Sequence, residues 1–309
     1  SQELLAALEP RSSNLCGGGG EVEEAAALRS VEQLRVELPK PEILAGVGAV
    51  ALAAALPMPT WLCLLQEVDC FASLLRTLDA SVSRLEEAIH GFLPMTLALE
   101  EVLEAVFCGQ VPESWRDAAF LSRKSLTSWT RNLQTRVSFV KRWQEKGCDL
   151  PCCLIDLLWS PHGFLLSVMQ TAARSQDCSL EELSFQHEVI PALEDATDVL
   201  VPPEAGAFIF GMWLDGAHWD SRANRLALRR PRDVFCLMPV IHFTAARHLR
   251  PDSRSLYIAP WYQTSARGAG GEELARGQRD FIASVALACD GRPEAWILGG
   301  TALICQPDS

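Results

Sequence analysis

The chain has 309 residues, 49% of them hydrophobic and 21% charged, with a net charge of −12 at pH 7. That length accommodates two structural units and a sizeable core, and the composition argues against wholesale disorder. The acidic balance disfavours a general nucleic-acid binder, which needs clustered Lys and Arg.

Eleven scattered cysteines without a CxxC pair, and six histidines never at ligand spacing, fit neither a disulfide framework nor a zinc site. They point to a reducing, intracellular compartment. No basic segment followed by an apolar run opens the chain, so no signal peptide is expected. The start at "SQELLAALEP", without a Met, suggests a piece of something longer.

Residues 1–56 form an Ala/Leu-rich segment interrupted by "CGGGG" at 16–20. No Lys-Ser/Thr follows those glycines, so they read as a flexible joint rather than a phosphate cradle. The run from Ile43 is apolar for 14 residues before Pro57, which suits a buried helix and is short for a membrane span.

From Trp61 the periodicity is strong. Trp61, Leu64, Val68, Phe71, Leu75, Leu78, Val82, Leu85, Ile89 and Phe92 alternate spacings of three and four, which predicts one face of a long helix. Pro57, Pro59 and Thr60 mark its start, and Gly91 sits where a terminating glycine belongs. Further helices are predicted over about 97–108, closed by Gly109 and Pro112, and over about 125–145, with Leu126, Trp129, Leu133, Val140 and Trp143 inward. Ser160-Pro161 begins a fourth helix through Phe164, Leu165, Val168 and Ala172, and "SLEEL" at 179–183 a short extra turn.

After Pro202-Pro203 the texture changes to short aromatic or β-branched runs: "AFIFGMWL", "LMPVIHF", "SLYIAPWY", "DFIASVAL" and "AWILGGTALIC". Strands following helices predict an α+β chain, an N-terminal helical subdomain and then helices with a small antiparallel β-barrel or sandwich. Pro239 and Pro260 favour edge or bulge positions. Trp115, Trp129, Trp143, Trp213, Trp219 and Trp296 are the expected core anchors.

Two stretches invite a functional reading. In "FIFGMWLDGAHWD" (208–220), Asp215, His218 and Asp220 form either an acid–base or metal cluster, or the polar tip of a wide hairpin reaching to "RLAL" at 225–228. Neither GxSxG nor HExxH is present to supply a nucleophile or a metal motif. The second stretch holds eight arginines and two aspartates between Arg222 and Arg254, a net of +6 in an acidic chain. It is either a docking patch for an acidic partner or a solvated face with ordinary ion pairs.

The order of motifs resembles the C-terminal end of a dynein heavy chain. "LLAALEPR", "GGGGEVEE" and "LPKP" are followed by the long helix "LLQEVDCFASLLRTLDASVSRLEEAIHGFLPMTLALEEV" and "GQVPESW". Then come "SLTSW", "GFLLSVMQTAAR", "LSFQHEV", "GMWLDGAHWD", "MPVIHF", "WYQTSAR" and "AWILGGTALICQ". The resemblance implies that 1–56 ends the sixth AAA+ module, 57–150 is a helical subdomain and 151–309 the dynein C-terminal domain. In that family the Gly211, Leu214, Asp215, Gly216, Ala217, Trp219 and Asp220 pattern belongs to a small β-barrel with no chemistry assigned to it.

The implied segment is not an enzyme by itself and carries no catalytic, cofactor-binding or metal-binding residues, since ATP and Mg²⁺ belong to upstream modules of the parent. Its implied partners are the AAA+ ring of its own heavy chain, other dynein subunits and, only indirectly, microtubules, with no nucleic acid and no membrane. The implied setting is the cytoskeleton of a cilium or flagellum. "GAGGEELARGQRD" at 268–280 and Gly299 in place of an arginine depart from the family pattern and suggest a divergent, axonemal-like member. Two other readings remain: a free-standing adaptor acting through the heptad helix and the arginine patch, and a small hydrolase using His218 with Asp215 or Asp220.

Overall fold

The computed structural model describes residues 20–44, 58–146, 150–247, 255–265, 280–290 and 292–306. Most of the glycine joint at 16–20, the apolar run beyond Leu44, the divergent segment up to 279, and Arg250 and Arg254 lie outside the described residues. The chain divides into two units, Ser1–Ala45 with Phe71–Val137, and Gly46–Cys70 with Ser138–Ser309.

The first unit is helical: α1 (Gly20–Glu37), the C-terminal part of α2 (Met58–Ile89), α3 (Leu97–Phe107), α4 (Glu113–Ala118) and the first part of α5 (Leu126–Lys146). Phe71, Leu75, Leu78, Val82, Leu85 and Ile89 of the predicted seam are buried, while Phe92, beyond the helix end, is 79% exposed. Gly91, at φ 76°, ends α2 by donating to the Ala88 carbonyl while Phe92 N–H reaches back to Glu87, and Gly109 at φ 66° ends α3 in the same way. Only a residue tolerant of positive φ closes a helix in that manner.

Aromatic rings fill the centre of this unit. Phe120 lies 6.1 Å from Phe71 and stacks on Trp129 at 5.9 Å, and Trp129 lies 6.4 Å from Trp115. Trp115 donates its indole N–H to the Ser81 hydroxyl at 2.9 Å, which satisfies the polar edge of a fully buried ring. Arg136 is buried with its guanidinium 4.0 Å above the Phe120 ring, and its Nε donates to Asn132 Oδ1 at 2.7 Å. An amide oxygen and a π-face thus replace part of the water that this charge gives up.

The second unit contains the start of α2, the end of α5, α6 (Pro161–Ser175) and all the strands. Trp143 of α5 meets Phe164 of α6 edge-on at 6.0 Å. Ser160 caps α6 by accepting the Gly163 N–H at 3.2 Å, as the Ser-Pro pair predicts. The Ser179 turn is a single 3-10 turn, Leu180–Glu182, whose Glu182 carboxylate accepts the Ser179 N–H.

Eleven strands are described: β1 (Cys153–Leu154), β2 (Ser184–Val189), β3 (Ala207–Phe210), β4 (Trp213–Asp215), β5 (Ala217–Asp220), β6 (Arg225–Leu228), β7 (Phe235–Leu237), β8 (Ile241–Ala246), β9 (Leu256–Thr264), β10 (Phe281–Ala288) and β11 (Ala302–Gln306). They form a four-stranded sheet, β1-β3-β8-β2, a five-stranded sheet, β10-β9-β11-β4-β7, and a β5-β6 hairpin. Helix α6 packs against β8, where Ala173, Leu183 and Ala245 form a buried cluster.

The chain is therefore α+β, but the predicted closed antiparallel barrel is not formed. Among the described residues β7 pairs only with β4 and β10 only with β9, so the five-stranded sheet has two open ends. A kink at Gly216 takes β5 out of that sheet to pair with β6, and the hairpin touches the end of β10 only through the Leu226–Cys289 bridge. The β1–β3 and β9–β11 pairs are parallel.

Two proline positions differ in outcome. Pro239 falls between β7 and β8, outside any strand, whereas Pro260 lies within β9, opposite Ser284 and beside the bulge where Phe281 and Ala283 face Tyr262 and Trp261. "AWILGGTALIC" is not one strand. Pro293 and Glu294 start a short helix, α7 (Glu294–Leu298), and Gly300 at φ 65° ends it before β11.

Candidate functional site: the strands and turns from 207 to 234

The segment that follows β3 is shaped by two glycines. Gly211, at φ 93°, brings its backbone so close to Asp156 that a Cβ would sit 2.3 Å from Oδ1 of that carboxylate. Gly216, at φ 77°, lies against the backbone of Gly299 and Thr301, where a Cβ would meet the Gly299 carbonyl oxygen at 2.8 Å. Here Gly216 is not the tip of a hairpin. Asp215 is paired on both sides, opposite Ala302 of β11 and Phe235 of β7, and the backbone turns out of the sheet immediately afterwards.

Residues 217–220, predicted as part of a wide loop, are strand β5. Ala217, His218, Trp219 and Asp220 stand opposite Leu228, Ala227, Leu226 and Arg225, leaving a four-residue turn. The reversal is capped by a carboxylate: Asp220 Oδ1 accepts the N–H groups of Arg222 at 3.0 Å and Ala223 at 3.1 Å. Asn224 completes the turn at φ 50°, a conformation that Asn tolerates better than most residues. The "AHWD" alternation (buried, half-buried, buried, half-buried) is the period-two signature of a strand, hidden from the sequence reading by the Asp-Gly turn signal.

The three polar residues therefore sit in different situations. Asp220 is occupied by the turn, and the N–H groups of Ala223 and Arg222 hold its carboxyl below the usual carboxylate range. His218 lies on the same strand with a buried Nδ1 that has no hydrogen-bond partner among the described residues, and Asp215 belongs to the neighbouring sheet. A general base needs its second ring nitrogen oriented by a partner, and no described residue so holds His218 Nδ1. Among the described residues no group of three His, Cys, Asp or Glu side chains is placed to hold a metal ion.

The tryptophans carry the packing. Trp219 is 3% exposed and Trp296 9%, whereas Trp213 is half-buried and not a full core residue as expected. Trp261, absent from the expected anchors, is completely buried in β9, 6.0 Å from Phe243. Its signal was present in "SLYIAPWY", where alternation from Tyr257 places Ala259 and Trp261 on the buried face.

The arginine stretch divides by partner. Arg225 pairs with Asp290 at 2.6 Å, and Arg247 reaches Glu182 at 3.6 Å while donating to the carbonyls of Gln176 and Asp177. Arg222, Arg229, Arg230 and Arg232 are exposed, and no described residue forms an ion pair with them. Leu228 and Val234, beside them, are 84% and 64% exposed.

An α+β chain whose 207–228 segment serves as packed and capped framework is the class that fold and sequence define. The family model for the C-terminal domain of dynein heavy chains matches residues 2–305, and the protein belongs to that family. It is 31% identical over 308 residues to human dynein axonemal heavy chain 2, covering 99% of this chain and 7% of that protein. It is 33% identical over 259 residues to human dynein axonemal heavy chain 6, covering 78% of this chain and 6% of the relative. Against the dynein-1-beta heavy chain of the flagellar inner arm I1 complex of Chlamydomonas reinhardtii, identity is 29% over 303 residues, with 98% and 6% covered. The protein thus spans less than a tenth of the length of these relatives. No described helix is long and apolar enough to cross a membrane.

Proposed function

We propose that the protein is the C-terminal segment of an axonemal-type dynein heavy chain and acts mechanically, without chemistry of its own. Family membership over residues 2–305 carries this reading, and the names of its relatives support the axonemal setting. In this reading the segment supports or biases the AAA+ ring of its own heavy chain in a ciliary or flagellar axoneme. Other dynein subunits are neighbours, and microtubules are engaged only through the rest of the motor. Nucleotide chemistry, with its Mg²⁺, belongs to upstream modules.

The physical basis is differential contact. A rigid element that fits one ring conformation better than another shifts the balance between them by that difference in free energy, without touching nucleotide. A difference of about 1.4 kcal/mol alters the ratio tenfold. The buried tryptophans and capped turns supply the required rigidity.

The test compares the parent heavy chain with and without this segment in ATP turnover and microtubule gliding. Retained ATP turnover with altered gliding speed or force is the expected result. Complete loss of turnover with an intact ring, or gliding unchanged in every respect, counts against a mechanical role.

A further inference from the structure

The turn between β6 and β7 contains a residue the backbone disfavours. Asp233 N–H donates to the Arg230 carbonyl at 3.2 Å, closing a four-residue turn with Pro231 second and Arg232 third. Arg232 has φ 79°, the left-handed conformation that a Pro-containing turn of this type requires at its third position. Glycine meets that requirement without strain, and Arg does not. Arg232 thus holds, on an exposed turn, a backbone conformation in which glycine would be less strained.

The surroundings indicate what the side chain is for. Arg229, Arg230 and Arg232 are exposed within four positions, and no described residue pairs with them, whereas Arg225 and Arg247 are both engaged. Leu228 and Val234 flank the three arginines in the sequence as exposed apolar residues. We propose that this turn is a docking surface for an acidic polypeptide segment, its carboxylates received by Arg229, Arg230 and Arg232 and its apolar side chains by Leu228 and Val234.

Charge complementarity selects that occupant. A guanidinium matches a carboxylate in two parallel hydrogen bonds, and interleaved apolar residues suit a peptide better than a sugar–phosphate backbone. The protein as a whole, at net −12, repels extended polyanions such as nucleic acid or an anionic membrane, but leaves a short acidic peptide free to reach a local basic turn. The proposal does not depend on the motor reading.

The experiment is fluorescence anisotropy with the 309-residue chain and a labelled peptide of glutamates interspersed with leucines. A lysine counterpart, a uridine oligonucleotide and phosphatidylserine vesicles form the comparison arms. Binding of the acidic peptide that weakens with salt, and falls about tenfold in R229E/R230E/R232E, is expected from three partly exposed pairs. Arg232→Gly weakens binding while leaving the melting temperature unchanged or raised, because glycine relieves the turn. The proposal is overturned if the acidic peptide does not bind, or if it binds the triple variant as tightly as the parent. It is equally overturned if these arginines select the oligonucleotide or the vesicles over the peptide.

Discussion

The carboxylate of Glu67 caps the backbone at Ser160. Its Oε1 accepts the Ser160 N–H at 2.8 Å and its Oε2 accepts the Trp159 N–H at 2.7 Å, and the residue is 2% exposed. Ser160 in turn caps α6 through Gly163, so one buried acid on α2 fixes the entry to a helix 93 positions later. Removing it strands two backbone donors in a closed environment. Glu67→Ala is predicted to cost about 2–4 kcal/mol, and Glu67→Gln, which retains one acceptor oxygen, distinctly less. Urea denaturation of the two variants measures this, and equal midpoints for Glu67→Ala and the parent would contradict the capping role.

The tryptophans of the 207–220 stretch should rank by burial. Trp219→Ala removes an enclosed ring and is predicted to cost about 3–5 kcal/mol, enough to unfold a marginal protein. Trp213→Ala, half-buried in β4, should cost less. Thermal melts of both variants check the order, and a Trp219→Ala variant that melts with the parent refutes it.

Gly216 is predicted to resist even the smallest substitution. Alanine there takes on a left-handed backbone and a Cβ 2.8 Å from the Gly299 carbonyl oxygen and 3.1 Å from the Thr301 backbone. The expected loss is about 2 kcal/mol or more. Because the same kink releases β5 from the five-stranded sheet, hydrogen exchange in 217–228 should rise first. A Gly216→Ala variant of parental stability and unchanged exchange would show that the kink is not required.

His187 gives the fold a dependence on pH. Its ring lies edge-to-face on Phe243 at 4.7 Å, its Nδ1 accepts the Ala286 N–H at 3.3 Å, and its Nε2 is enclosed without a partner among the described residues. Burial pushes the imidazole down from 6.5 to about 4. Between those two values the unfolded state binds a proton that the folded state does not, so stability falls as pH drops from about 6.5 to about 4. Partial exposure of the residue limits the effect to about 2 kcal/mol. Protonation also converts the Nδ1 acceptor into a donor facing the Ala286 N–H. Melting temperature followed from about pH 7 to about pH 4 should decline less steeply in His187→Asn, which keeps an acceptor but does not titrate. Parallel curves for the two proteins would remove His187 as the cause.

The helices were legible because each carries its own punctuation. Gly91 and Gly109 end α2 and α3, Ser160-Pro161 begins α6, and the seam from Trp61 to Ile89 repeats along a 32-residue helix. Helix α1 was not legible, since its alanine and glutamate run follows a glycine tract and shows only a weak apolar stripe. The strand region was legible in composition but not in topology. Asp215-Gly216 reads locally as a hairpin tip, yet its use is decided by β11, which arrives from residues 302–306 to pair with β4. Parallel pairing of β9 with β11 and of β1 with β3 likewise leaves no trace in a short window of sequence. Of the three polar residues only Asp220 serves a turn, and the three-dimensional fold assigns it to the cap and places Asp215 in a different sheet. The strain at Arg232 was invisible, because a Pro-Arg pair does not announce a positive φ.

The heavy-chain reading is tested most directly by the intact mass of the native polypeptide that carries this sequence, with peptide mapping along its length. Since the region it matches makes up 7% of human dynein axonemal heavy chain 2 and the mass of this chain is 33.9 kDa, the native polypeptide should exceed it more than tenfold and contain AAA+ modules upstream. A native product of only 33.9 kDa contradicts the heavy-chain reading and leaves a separate binding protein, with the arginine turn as a candidate surface.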